Sequence, residues 1–272
     1  MSSMLSDYID QLRYFSEYRN HVNCLKNKKE YEAEIGFEKF EEDLYLDGFK
    51  KDYKLERFVS KNEEKTTRNI VRWVYEKMLF SKYQEGTINY KNSTDMLIYA
   101  KNNKVKLNCF CHAYILRDAL QSVGIMTRMV YCLPINCEYF CNHVVVEYKD
   151  NSRCRWVLVD PTYNVFFSDD EGNLLNLIEF RQRIIRGEKI KLINNNRFRK
   201  EGEMTENDTI AYMNMIVPAL VVLQYESVHA GCTSCCRLIS DKYLLPNPQM
   251  CTDEIRYTYY CDDLYPEWRS NG

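Results

Sequence analysis

Apolar positions along the chain follow two different periods, and the change between them predicts the architecture. Residues 8–15 read as a short amphipathic helix, and residues 31–46 as a more polar one with Phe37, Phe40 and Leu44 on one side. Asn62-Glu63-Glu64 is an acidic, cappable start for a helix whose apolar face carries Ile70, Trp73, Val74, Met78 and Leu79. Ser93-Thr94-Asp95 open a further helix ending near Asn102-Asn103, and a new periodic apolar run begins just after Cys109. The period then shortens. Residues 125–133, 141–148 and 154–160 are β-prone runs with turn-rich joints at Pro134-Ile135-Asn136 and Lys149-Asp150-Asn151-Ser152. The tightness of the second joint predicts an antiparallel pair of strands on either side of it. Residues 174–185 return to helical spacing and stop at Gly187, with a loop following at Asn194-Asn195-Asn196. Residues 208–223 are apolar enough for a buried helix, and tyrosine-rich strands are expected at 242–245 and 256–260.

Helices followed by short strands predict an α+β fold, with the helix that begins at Cys109 packed on an antiparallel sheet. The expected organisation is an N-terminal helical region over residues 1–89, a core over 90–186 and a C-terminal extension of that core over 187–272. A chain of 272 residues with 45% hydrophobic residues is long and apolar enough to bury a substantial core. Lysine and arginine number 37 against 39 acidic residues, so no overall field would concentrate nucleic acid or hold an anionic membrane. No apolar run approaches the length of a membrane span, and Met1 to Tyr14 lack the unbroken apolar stretch of a signal peptide. The 12 cysteines are therefore expected to be reduced thiols of a cytoplasmic protein. Cys132, Cys137, Cys141 and Cys154 are expected to be inert structural thiols.

Three residues in these elements carry chemistry. Cys109 opens an amphipathic helix, where free backbone N–H groups and the positive end of the dipole stabilise an anion. His143 lies in an apolar alternating run, and its imidazolium can pair with a thiolate. Asp160 ends the next run and can accept a hydrogen bond from the other ring nitrogen, fixing tautomer and orientation. Together they offer a nucleophile, a base and an orienter for the base. Each has a plainer reading: Asp160 could cap the Pro161-Thr162 turn, and His143 could be a sheet histidine with its hydrogen bonds satisfied. His112, three residues after Cys109 on the same helix face, is the rival base, although a capping or packing role is expected for it. Cys111 and Trp73 are expected in the core, and Arg128 is expected to pair with a carboxylate such as Glu147.

The central third resembles the transglutaminase-like superfamily of papain-type cysteine enzymes. The family's Gly-x-Cys-x-x-x-Ala block, with its apolar helix and Gly-Ile-x-x-Arg strand, reads here as Leu107-Asn108-Cys109 through Ala113 and then Gly124-Ile125-Met126-Thr127-Arg128. Its His-x-x-x-Glu strand reads as His143 to Glu147, and its Trp-x-x-x-Asp-Pro-Thr strand as Trp156 through Thr162. The resemblance covers roughly residues 90–180, and Leu107 and Val145 depart from the family's glycine and aromatic. It implies a papain-like core, a catalytic triad of Cys109, His143 and Asp160, and no organic cofactor. It also implies acyl transfer from a peptide or glutamine amide to water or to an amine. The long, tyrosine-rich and apolar chain beyond Asp160 is expected to build one wall of a groove that leaves access to water, which favours hydrolysis. Family members that have lost the triad make a silent interaction module the alternative.

Near the C-terminus, Cys232-Thr233-Ser234-Cys235-Cys236, with His229, Cys251 and Cys261, contains zinc-ligating residue types. A single Cys-x-x-Cys with no well-spaced partner pair assigns no metal, although a zinc-stabilised binding surface is the reading it leaves open.

Overall fold

The computed structural model describes residues 9, 44–79, 82–83, 92–133, 142–195, 202–220, 222–229, 232–238 and 255–258. The helix expected over 8–15, apart from Ile9, most of that over 31–46, and the strand over 242–245 lie outside them. So do Cys137, Cys141, Cys251 and Cys261. Among the described residues, no helix is long and apolar enough to cross a membrane.

Helix α1 (Leu44–Tyr53) leads through a short 3-10 turn into α2 (Glu63–Lys77). Asn62 caps α2 by accepting from the Lys65 backbone N–H at 2.9 Å, which is why the acidic start marks the helix so clearly. Strand β1 (Lys82–Tyr83) pairs in parallel with β2 (Val105–Lys106), and α3 (Ser93–Asn103) lies between them in sequence. Helix α4 (Cys109–Ser122) then begins where the change in pattern predicted it. Trp73 is buried against Phe49, Tyr53 and Phe58, a core position as expected.

The main sheet is built on β3 (Thr127–Leu133), β4 (His143–Asp150) and β5 (Arg155–Asp160), consecutive and antiparallel. Then come β6 (Val165–Ser168), α5 (Leu177–Arg186), β7 (Lys191–Asn194), β8 (Gly202–Glu203), α6 (Glu206–Ile216), β9 (Val222–His229), β10 (Cys232–Leu238) and β11 (Ile255–Thr258). The strand order is β11-β10-β9-β3-β4-β5-β6-β7-β8, so β9 returns to lie beside β3. Helices cover both faces, forming an α+β fold. Met129, Val144, Val146, Tyr148, Val157 and Val159 face α4 and the helices before it. Val130, Cys132, Val145, Trp156 and Leu158 face α5 and α6. Cover on both faces explains why Val144-Val145-Val146 reads as a continuous apolar run instead of alternating.

Several expectations are corrected. Helix α5 begins at Leu177 because Leu174 bridges to Ser168 and the Leu175 backbone bonds to both Leu158 and Phe167; Asn176 and Glu179 then form a capping box. The apolar run over 208–223 is helical only from Glu206 to Ile216, passes through a 3-10 turn at Val217–Leu220 that contains Pro218, and continues as β9. The expected loop starts one residue late, since Asn194 ends β7, and Asn195 within it is buried: it accepts from Arg72 at 3.1 Å and donates to the Arg68 carbonyl at 2.7 Å and to Asn164 at 3.1 Å. Cys154 is exposed in a turn at φ 52°, so it is not a buried thiol. Cys232, Cys235 and Cys236 belong to β10, whose backbone pairs with β9 and β11.

Candidate active site

The site lies where the N-terminus of α4 meets the end of the sheet at which β4 starts and β5 stops. Asn108 caps α4, its side chain accepting from the Cys111 backbone N–H at 3.1 Å. Cys109 is the first residue of the helix and is half-buried. Leu107 is buried and has no left-handed backbone conformation, so the glycine of related sequences is not needed here for its φ.

His143 and Asp160 project from the face of the sheet that carries Val145 and Leu158, and both are buried. His143 Nε2 lies 2.7 Å from Asp160 Oδ2. The Cys109 side chain lies near enough to the same ring to raise its titration, and with Nε2 facing Asp160 the nitrogen left for sulfur is Nδ1. The structure thus brings all three sequence-predicted site residues together. Burial alone would depress the titration of His143, but the Asp160 charge, its hydrogen bond and the contact with Cys109 outweigh it and raise the ring to about 10. At neutral pH the ring is an imidazolium. Asp160 is held below its ordinary range even though burial opposes its charge, because it faces His143 and accepts from three donors.

Two of those donors come from outside the triad, and only the second was not anticipated. The Thr162 backbone N–H donates to Asp160 Oδ1 at 2.8 Å, completing the turn-capping role that the aspartate alone suggested. Tyr212, on α6, donates its hydroxyl to Asp160 Oδ2 at 2.9 Å, and burial beside that carboxylate pushes the phenol well above its ordinary value. The Tyr212 ring meets Tyr163 edge-on at 5.4 Å, and Tyr163, 44% exposed, lies 6.0 Å from the His143 ring. Tyr163 is the solvent-facing wall beside the base. The spacing of Tyr212, Ile216 and Leu220 signals a buried helix face, but nothing in it points to a carboxylate 52 residues away.

His112 is fully buried, and its Nδ1 lies 2.9 Å from the Asn108 carbonyl, which also accepts the His112 backbone N–H at 3.2 Å. Burial lowers its titration to about 4, so it is neutral at physiological pH, and of the two roles expected for it the packing one is seen, the cap being Asn108. Cys111 and Cys132 are buried; burial pushes the first up to about 12 and the second well above its ordinary value. Arg128 and Glu147 are register partners across β3 and β4, joined at 2.7 Å, with the guanidinium 4.0 Å above the Trp156 ring. Glu147 also accepts from the Leu177 backbone N–H at 2.8 Å, so the pair fixes the start of α5.

Residues 54–161 match the family model of the transglutaminase-like superfamily core. This segment belongs to the transglutaminase-like superfamily. The transglutaminase-like core therefore takes in α2 as well as the blocks around Cys109, His143 and Asp160, whereas Tyr163 and Tyr212 follow it in the chain. A crystal structure of a candidate cysteine protease from Cytophaga hutchinsonii is similar at 12% identity and a TM-score of 0.27, over 89% of this chain and 58% of its own. The chain thus spans little more than half the length of that protein. No curated protein matches the chain.

Proposed function

We propose that the protein is a cysteine-dependent acyl-transfer enzyme acting on peptide or glutamine amides, with Cys109 as nucleophile, His143 as its proton partner and Asp160 as the orienter. The single observation that carries this reading is the chain from half-buried Cys109 to buried His143 and Asp160, with the imidazolium between a sulfur and a carboxylate. The Cys109 thiolate attacks the amide carbonyl carbon to form a C–S bond. The resulting oxyanion accepts from the Cys109 backbone N–H, one of the donors at the start of α4 that has no partner within the helix. His143 gives its proton to the departing nitrogen, and the C–N bond breaks to leave a thioester. The neutral ring then takes a proton from water as it attacks the thioester, which releases the acid and restores the ion pair.

Water is favoured over an amine as the acceptor because the site is open: Cys109 is half-buried, Asn108 is exposed and Tyr163 beside the base faces solvent. The substrate is accordingly a peptide or protein, and the reduced thiols fit a cytoplasmic setting. Incubation with a glutamine-rich peptide pool and a labelled primary amine, with Cys109→Ser as control, tests the reading. Cys109-dependent cleavage or deamidation is expected. Amine incorporation exceeding hydrolysis would replace hydrolysis with transamidation, and absence of both products would favour a silent interaction module.

A further inference from the structure

We infer that His112 is a positioning residue that fixes the peptide plane between Asn108 and Cys109, and with it the N–H that receives the oxyanion. The inference rests on the acyl-transfer reading above. It begins from an oddity of burial. His112 is 0% exposed, and its Nε2 has no hydrogen-bond partner among the described residues, whereas Nδ1 lies 2.9 Å from the Asn108 carbonyl oxygen.

Two considerations choose the tautomer. If Nε2 carried the proton, an N–H donor would be buried with nothing to accept it, and the Nδ1 lone pair would face the carbonyl lone pairs at 2.9 Å. With the proton on Nδ1, the ring donates to Asn108, and only a lone pair is left without a partner. The neutral Nδ1–H form is therefore the one the site holds.

That hydrogen bond has an unusual target. The Asn108 carbonyl already accepts the backbone N–H of His112 at 3.2 Å, so one residue grips one oxygen from main chain and side chain together. The same oxygen belongs to the peptide unit whose other end is the Cys109 N–H. Two donors on the carbonyl hold the plane against rotation about its flanking bonds, and by polarising the amide they make its N–H a better donor. Asn108 adds a third restraint through its side-chain bond to the Cys111 N–H at 3.1 Å. A neutral ring suits this task. His112 senses the charges of both His143 and Asp160 from inside the same site, and a second cation there would compete with the His143 imidazolium for Asp160.

Two substitutions separate positioning from packing. His112→Phe keeps the bulk and loses the donor, while His112→Asn offers an amide N–H at about the place of Nδ1. In the peptide assay, His112→Phe is expected to lower kcat about 10- to 100-fold with KM little changed, because misplacing one oxyanion donor costs somewhat less than removing it. Alkylation of Cys109 by iodoacetamide passes through no oxyanion and should keep its wild-type rate in that variant. His112→Asn should recover much of kcat. Wild-type kcat in His112→Phe, or a parallel fall in kcat and alkylation, would overturn the inference. Nitrogen-15 NMR of the His112 ring tests the clamp without any substrate: an Nδ1-protonated neutral ring at pH 7 supports it, and an Nε2-protonated or charged ring refutes it. Protein with selective Cys109 alkylation and no peptide turnover would count against the acyl-transfer reading alone, leaving the clamp to be judged by the ring tautomer.

Discussion

His143 and Asp160 are diagonal neighbours across β4 and β5, not direct partners. The antiparallel register that pairs Val146 with Val159 places Val145 opposite Asp160, so the carboxylate reaches two residues along to meet His143 Nε2 at 2.7 Å. A diagonal reach between adjacent strands suits side chains of this length. It also leaves the first position of β4 at the open end of the sheet, where α4 can bring Cys109 to the other nitrogen.

Because the Asp160 charge is what holds the His143 proton against burial, Asp160→Asn is expected to bring the titration of His143 down from about 10 toward or below its ordinary value. Peptide turnover should fall at least about 100-fold, as removal of an orienting carboxylate does in comparable triads. An NMR titration of the ring in the two proteins measures the first effect directly. An unchanged titration would show that Asp160 is not the source of the raised value.

Alkylation should distinguish Cys109 from the other described thiols. Cys111 and Cys132 are buried and stay protonated, and Cys154, although exposed, makes no contact among the described residues with the His112 or His143 side chain. Iodoacetamide at mildly acidic pH is expected to modify Cys109 first, and His143→Ala to abolish the preference. Peptide mapping after brief exposure reads the order, and uniform labelling would contradict an activated nucleophile.

The two histidines act in opposite directions on stability. His143 titrates at about 10 in the folded protein against an ordinary 6.5, so its contribution is fully present below pH 6.5 and is lost as pH rises toward 10. His112 titrates at about 4, so between pH 6.5 and 4 the unfolded chain takes up a proton that the folded chain refuses, and stability falls as pH is lowered. Full passage through that window is worth about 3 kcal/mol. Urea denaturation at pH 7 and pH 4 should show a smaller acid loss in His112→Phe than in the wild type. Equal losses would mean that other groups govern the acid limb.

Arg128→Met should destabilise the protein by about 3–5 kcal/mol, since it strands the buried Glu147 carboxylate. The Leu177 N–H would remain bonded to that carboxylate, so the cost should fall on the sheet and on the start of α5 together. Equilibrium urea unfolding measures it, and a loss below about 1 kcal/mol would show that Glu147 finds compensation elsewhere.

Much of this was legible in the chain because local signals and tertiary demands agree. The start of α4 is marked by Asn108 as a cap and by the apolar repeat behind it, and the order of Cys109, His143 and Asp160 follows the order of the elements that carry them. What escaped depends on long-range contacts or on apolar runs without a period. Strand β6 begins only five residues after Asp160 and looks like the tail of a turn. The stretch from Val217 to Leu223 is apolar at nearly every position, which suits a buried helix or a buried strand equally; Pro218 was the usable clue. Tyr212 advertises burial but not its partner. The same is true of Asn195, whose loop-like composition conceals a buried hub between α2 and the turn at Asn164.

The return of β9 to the flank of β3 also bears on how the chain is made. Ribosomal synthesis delivers Cys109 first, His143 and Asp160 soon after, and Tyr212 and β9 only much later. Until residues 222–229 arrive, β3 has one neighbour and one bare edge of unpaired backbone groups, and Asp160 lacks its phenol donor. Nascent chains paused in that interval would offer a template for association with one another, so the period between emergence of β5 and of β9 is when a chaperone has most to protect.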